Sequence, residues 1–67
     1  PQDDAEAVKW FRQAAAQGNA AAQNGLGAMY ETGRGVKQDD AEAVKWYLKA
    51  AAQGNAAAKN NLRRLGR

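Results

Sequence analysis

Residues 26–36, LGAMYETGRGV, lie between two nearly identical segments of this 67-residue chain. Shifting the sequence by 36 positions aligns residues 2–31 with residues 38–67, and 20 of those 30 positions are identical. Internal repeats with periods of this size are typical of proteins that stack one small helical or strand unit several times. The sequence therefore predicts one structural unit that occurs almost twice, and residues 26–36 complete the unit and connect it to the next copy.

The repeated segment has the pattern of an amphipathic helix with local signals at both ends. Asp39 and Glu42 have the spacing of a capping box, in which the aspartate accepts from backbone amides and the glutamate reaches back to the cap amide. Gly54 supplies a left-handed helix end, and Asn55 can cap the next helix. Apolar residues recur at three- and four-residue spacing and form one face: Ala43, Val44, Trp46, Tyr47, Ala50 and Ala51.

The same signals in the first copy complete a prediction of four helices, at about 3–17, 20–32, 39–53 and 56–65. In the second of these, Gly25 and Gly27 each cost about 1 kcal/mol relative to alanine unless close packing compensates. We expect Gly27 to let a neighbouring helix approach. The Gly-Asn links are so short that consecutive helices must run antiparallel.

Composition excludes several classes of function. The chain has no histidine, cysteine or serine, so it lacks the usual nucleophiles, bases and metal ligands, and no disulfide is possible. Asp3 with Glu6, and Asp39 with Glu42, resemble paired acid/base carboxylates, but helix capping explains them better. Gly33 and Gly35 lack the Lys-Ser/Thr continuation of a phosphate-binding loop. We therefore predict no enzymatic activity, no metal and no cofactor.

Charge and hydropathy limit the kinds of partner that the chain can bind, but they do not indicate its cellular compartment. Four of the ten basic residues lie in the last nine positions, and the rest of the chain is nearly neutral. This patch is neither continued along a face nor interleaved with aromatic residues, so we expect no nucleic-acid partner. No run approaches the roughly 20 apolar residues of a membrane span. We expect the chain to be soluble. Its localisation is then cytoplasmic or, if the parent protein carries a signal peptide, periplasmic or secreted.

With these residues identified, the unit resembles the Sel1-like repeat, a relative of the tetratricopeptide repeat. The resemblance covers essentially the whole chain. It rests on the following residues: Ala22, Leu26, Gly27, Tyr30, Gly33, Gly35, Val36, Asp39, Ala43, Trp46, Ala50, Ala51 and Gly54. It implies an all-α fold, an α/α solenoid of antiparallel helix pairs in a right-handed superhelix. It also implies that the chain acts as a scaffold or adaptor for a protein or peptide partner, as Sel1-like repeats do in bacterial and eukaryotic proteins.

The phase of this repeat divides residues 1–67 into three parts of a single domain. Residues 1–18 form the second helix of a truncated repeat, residues 19–54 a complete repeat, and residues 55–67 a C-terminal capping helix. We expect the chain to be a fragment or a processed product whose first residues belong to a loop. At the other end, Arg63 replaces Gly27 and Gly66 replaces Tyr30, substitutions that suit a helix on which nothing further packs.

Two surfaces are candidates for binding. The first helix of each pair lines the concave face of such a superhelix, which predicts these partner-binding residues: Ala21, Asn24, Ala28, Glu31, Ala57, Asn60, Arg64 and Arg67. Asn24 and Asn60 could bond a peptide backbone, and Arg64 and Arg67 a carboxylate. Trp10 and Phe11 lie on a helix whose preceding neighbour is absent, so we expect apolar surface there that could mediate self-association.

Each of these residues also has a plainer interpretation. Aromatic residues at helical spacing are usually core, and polar residues on a helix are usually solvated. The near identity of the two copies leaves a second hypothesis open for the whole chain: a designed or consensus-derived structural repeat with no natural ligand, self-associating through its open N-terminal end.

Overall fold

The computed structural model describes residues 3–66 and confirms the four predicted helices. They are α1 (Asp4–Ala16), α2 (Ala20–Thr32), α3 (Asp40–Ala52) and α4 (Ala56–Arg64). The bounds agree with the sequence prediction to within one residue at every end. The fold is all-α, an α/α solenoid in which antiparallel helices follow one another along the chain. Across residues 3–66, every helix is too short or too polar to span a bilayer.

The predicted cap residues begin all four helices. The Asp3 carboxylate accepts from the Ala5 amide at 3.0 Å, and the Asp39 carboxylate accepts from the Glu42 amide at 3.1 Å. Asn19 and Asn55 accept from the amides of Ala22 and Ala58. These bonds satisfy amides that have no partner inside a helix.

The second half of the predicted capping box is wrong at α3. The Asp39 amide donates to the Tyr30 carbonyl at 2.9 Å and not to the Glu42 carboxylate. Glu42 turns outward, and its carboxylate lies 3.2 Å from the Lys45 ammonium. The physical reason is the close approach of the end of α2 to the start of α3, which supplies a backbone acceptor that the local sequence does not reveal.

Three-residue links, residues 17–19 and 53–55, connect α1 to α2 and α3 to α4. Gly18 has φ +88° and Gly54 has φ +89°, so both occupy the left-handed region that favours glycine. At the first link the Gly18 amide donates to Ala15 and the Asn19 amide donates to Ala14, the pair of bonds that defines a Schellman motif. Asn19 therefore closes one helix and caps the next, which forces the two helices antiparallel.

The loop between α2 and α3 folds back onto the start of α1. Gly35 sits so close to the Asp4 carbonyl that a side chain there would overlap it. Arg34 also holds the loop against the start of α1, because its guanidinium lies 3.0 Å from the Asp4 carboxylate. The loop thus ties α1 to the following repeat through Gly35 packing and an exposed ion pair.

The core consists of two clusters joined by α2. The first cluster lies between α1 and α2 and contains Val8, Ala15, Ala22, Leu26 and Met29. The second lies between α3 and α4 and contains Ala43, Tyr47, Ala50, Ala58 and Leu62. Tyr30 of α2 packs against both clusters, and Trp46 of α3 packs against the first. The central helix therefore holds the two helical pairs together.

Both glycines inside α2 mark places where another helix presses an aromatic ring against it. A Cβ at Gly27 would lie 2.7 Å from the Tyr47 ring and 3.2 Å from the Ala43 carbonyl oxygen of α3. A Cβ at Gly25 would lie 2.8 Å from the Phe11 ring of α1. The predicted role of Gly27 is confirmed, and Gly25 has the same role on the opposite side.

The two rings differ in their freedom to move, which gives a stability test. Tyr47 is 1% exposed, whereas Phe11 is half-buried at the edge of the fold. Gly27→Ala gains about 1 kcal/mol of helix propensity but overpacks a site where such insertions cost about 1–3 kcal/mol. We expect it to lower the melting temperature measured by circular dichroism.

Gly25→Ala is the matched control, since it makes the same chemical change in the same helix against a ring that can turn away. It should lower the melting temperature less than Gly27→Ala does. A Gly27→Ala variant as stable as Gly25→Ala would contradict the close-packing role of Gly27.

Candidate functional site

A row of polar side chains joins α2 to α4 across the face predicted to be concave. The Asn61 amide group donates to the Asn24 side-chain oxygen at 2.9 Å. Arg64 donates two hydrogen bonds to the Glu31 carboxylate, at 2.7 and 2.8 Å. We call the surface formed by these residues with Ala21, Ala28 and Asn60 the inner face. Three of the predicted partner-binding residues are thus brought together, but they bond within the chain.

Glu31 is the centre of this row because it also accepts from α3. The Tyr47 hydroxyl donates to the same carboxylate at 2.7 Å, so one side chain links α2, α3 and α4. The hydrogen bond from Arg64 is the main cause that lowers the pKa of Glu31, and Tyr47 lowers it further, against the opposing effect of burial. Burial first, and the bond to Glu31 second, raise the pKa of the Tyr47 hydroxyl above its ordinary value.

The Glu31–Arg64 pair changes what the inner face offers to a partner. Both terminal nitrogens of Arg64 are bonded to Glu31, so the predicted capture of a partner's carboxylate by Arg64 would have to displace an internal one. Asn60 is exposed and accepts from the neighbouring Arg63 at 3.3 Å. Ala21 is exposed and Ala28 half-buried. Arg67, the remaining predicted residue, lies outside the described residues.

The second surface is a groove of about 740 Å³ between α1 and α2. Its apolar lining comes from Ala7, Trp10, Phe11, Gly25, Ala28 and Met29, with Asp3, Asp4, Glu6 and Arg34 around it. Trp10 is 63% exposed, and its ring meets the edge of the Phe11 ring with centroids 5.9 Å apart. The structure thus brings the two predicted self-association residues together at an open apolar surface.

Sequence reasoning missed the cluster of Glu31, Tyr47 and Arg64, although two signals pointed to it. Tyr47 stands where the first copy has Phe11, and a buried tyrosine hydroxyl needs a hydrogen-bond partner. Arg64 stands where the first copy has Ala28, which places a positive charge on the predicted face that also carries Glu31.

Trp46 has a different environment from Trp10 even though the two occupy the same place in the repeat. The Lys45 and Lys49 ammonium groups lie 5.5 and 5.0 Å from the centroid of its ring. Its indole N–H is shielded from water and meets no acceptor within residues 3–66. Trp46 is therefore a packing residue with two cations over its ring, and it is not part of either open surface.

The carboxylates that could suggest acid/base chemistry are explained by local structure. Asp3 and Asp39 cap helices, and Glu42 pairs with Lys45. Thr32 donates its hydroxyl to the Ala28 carbonyl of its own helix. Within residues 3–66, His, Cys, Asp and Glu side chains do not gather in groups of three that could hold a metal ion.

Short antiparallel helices, a 36-residue period and glycines where helices cross define a helical repeat protein. The model of the Sel1 repeat family matches residues 1–19 and 20–55, and the chain belongs to this family. Sel1 repeats are helical solenoid repeats that generally mediate protein–protein interaction, and the family is typically a non-enzymatic module. Searches of curated proteins and of solved structures returned no match.

The lowered pKa of Glu31 predicts how stability depends on acid. A carboxyl whose pKa is lower in the folded state stabilises the fold fully above its unfolded pKa, about 4.3, and this contribution is lost as pH falls through the folded value. The melting temperature of the wild type should therefore fall more steeply below pH 4.3 than that of Glu31→Gln.

Glu42→Gln provides the control, because it removes the same charge from a surface pair with Lys45. The Glu31 cluster is intact in this variant, so the steep fall of the melting temperature in acid should remain. Equal slopes for Glu31→Gln and the wild type would show that the Glu31 cluster does not contribute to acid sensitivity.

Proposed function

We propose that this chain is a non-enzymatic interaction module that binds an extended segment of a partner protein on its inner face. The observation that carries the proposal is the hydrogen-bonded row between α2 and α4. It holds two helices of successive repeats side by side, so the inner face is continuous across the repeat boundary. In this proposal residues 19–54 form the complete repeat, with residues 1–18 and 55–67 as parts of its neighbours.

The chemistry of the inner face favours a peptide backbone over a charged group. Glu31 and Arg64 neutralise each other, and Tyr47 adds a third bond to the same carboxylate. The accessible inner-face residues outside this cluster are small or carry an amide: Ala21 is exposed, and Asn60 keeps donors and acceptors for a main chain. Alanine positions allow a partner backbone to approach closely, and an asparagine beside them supplies the hydrogen bonds.

Asn24 and Asn60 occupy equivalent positions in the repeat but have different roles in this proposal. Asn24 is bonded to Asn61 and contributes to the joint between repeats. Asn60 bonds its helical neighbour Arg63 at the exposed end of the face, a contact that exposed side chains exchange readily with water. Asn60 is therefore the better test of binding, and Asn24 reports on stability as well.

A selection experiment with peptides of random sequence tests the inner face. Peptides displayed on phage are selected on the immobilised wild-type chain, and the enriched peptides are measured against variants by titration calorimetry. Asn60→Ala and Ala21→Arg should each weaken the selected peptides by about tenfold or more, a change of about 1.4 kcal/mol. Neither variant should lower the melting temperature appreciably, since both residues are exposed.

Gln13→Arg is the matched control for the added charge, because Gln13 is exposed on α1 and lies outside the inner face. Peptides that bind Ala21→Arg and Asn60→Ala as well as they bind Gln13→Arg would remove the inner face as the binding surface.

A further inference from the structure

In helix α2, Asn24 is followed directly by Gly25, and the fold uses each of these residues for a different contact. The Asn24 side-chain oxygen accepts from the Asn61 amide group at 2.9 Å, which joins α2 to α4. A Cβ at Gly25 would lie 2.8 Å from the Phe11 ring of α1, so glycine leaves the room that this ring occupies. Packing therefore places a glycine directly after an asparagine in the central helix.

An asparagine followed by a glycine is chemically prone to deamidation. The Gly25 backbone nitrogen attacks the side-chain carbonyl carbon of Asn24, ammonia leaves, and a cyclic succinimide forms. Glycine favours this attack because it has no Cβ to crowd the nitrogen. Water then opens the ring at either carbonyl, which gives aspartate or isoaspartate, in which the main chain continues through the side-chain carbon. The net change is the loss of one ammonia and the gain of one water, without oxidation or reduction.

The folded helix blocks this reaction in two ways. The α-helical pattern pairs the Gly25 N–H with the Ala21 carbonyl, and this bond must break before the nitrogen can attack. Ring closure also draws the Asn24 side chain toward its own backbone and away from the Asn61 amide group. The reaction therefore requires α2 to open, an event whose free energy lies between near zero and that of global unfolding.

We propose that Asn24 is a deamidation site that reacts when α2 opens and whose isoaspartyl product breaks the joint between α2 and α4. Aspartate at position 24 keeps a side-chain oxygen for the Asn61 amide group, so this product retains the bond between the helices. Isoaspartate adds a carbon to the backbone inside α2, which disrupts the regular hydrogen-bond spacing of the helix. The proposal does not rest on the peptide-binding function, since it concerns the covalent structure and stability of the chain.

The first experiment measures the rate of deamidation of the full chain by peptide mapping and mass spectrometry, in mildly alkaline buffer with rising guanidinium chloride. A synthetic peptide of residues 20–29, blocked at both ends and shown by circular dichroism to be unstructured, gives the rate of the open state. The folded chain should react at Asn24 at least about tenfold more slowly than the peptide, the factor that an opening free energy of about 1.4 kcal/mol gives. The rate should rise to that of the peptide as the chain unfolds.

Asn60 is the internal control, because it occupies the equivalent position in the second copy but is followed by Asn61 in place of a glycine. In guanidinium chloride, Asn24 should react at least about tenfold faster than Asn60, and Gly25→Ala should slow Asn24 by a similar factor. Both comparisons use the unfolded chain, so they do not depend on how well the variant folds.

The second experiment separates the new charge from the altered backbone. After deamidation, reversed-phase chromatography resolves the isoaspartyl chain from the aspartyl chain, and each is refolded and melted under circular dichroism. Asn24→Asp supplies the charge alone and should melt close to the wild type, because the bond from Asn61 is retained. The isoaspartyl chain should melt at least about 5 °C below Asn24→Asp, since it loses that bond and the continuity of α2.

The proposal is overturned if Asn24 reacts as fast in the folded chain as in the peptide, or if guanidinium chloride leaves its rate unchanged. A rate at Asn24 no greater than that at Asn60 in the unfolded chain would also overturn it. So would an isoaspartyl chain that melts at the same temperature as Asn24→Asp, because the joint between α2 and α4 would then survive the change in the backbone.

Discussion

The close packing of the Tyr47 ring on the backbone of α2 at Gly27 is the constraint on which the rest of the fold depends. A Cβ at Gly27 has no room beside the ring, and the ring itself is almost fully buried. This contact sets the distance between α2 and α3 and directs the Tyr47 hydroxyl to Glu31. Glu31 then accepts from Arg64 of α4, so the position of one ring orders three helices.

The two copies of the repeat show how neighbours give the same residues different environments. Trp10 is open to solvent at the edge of the fold, whereas Trp46 is packed under two lysine side chains. Phe11 is half-buried, whereas Tyr47 is enclosed and hydrogen-bonded. The difference lies in α2, which covers one copy and leaves the equivalent surface of the other exposed. In a stacked repeat, burial is therefore a property of the neighbours more than of the unit.

The two open surfaces have opposite chemistry, which separates the functions that they can serve. The inner face is polar, and its charges are neutralised by the Glu31–Arg64 pair, so it suits a backbone that offers hydrogen bonds. The groove is apolar at its base, where Trp10 is exposed and Phe11 is half-buried beside small residues of α2.

The sequence by itself determined the helices, their ends and the repeat, because these depend on contacts within a few residues. Asp39 reaches an amide three residues away, and Gly54 ends α3 through its own backbone angle, so both signals are local and readable. It also placed Asn24, Glu31 and Arg64 on one face and Trp10 at an open edge. Only the tertiary structure decided that Glu31 bonds Arg64, 33 residues away, and that Asp39 donates to Tyr30. These pairings depend on how closely α2 approaches its neighbours, which the packing at Gly27 determines.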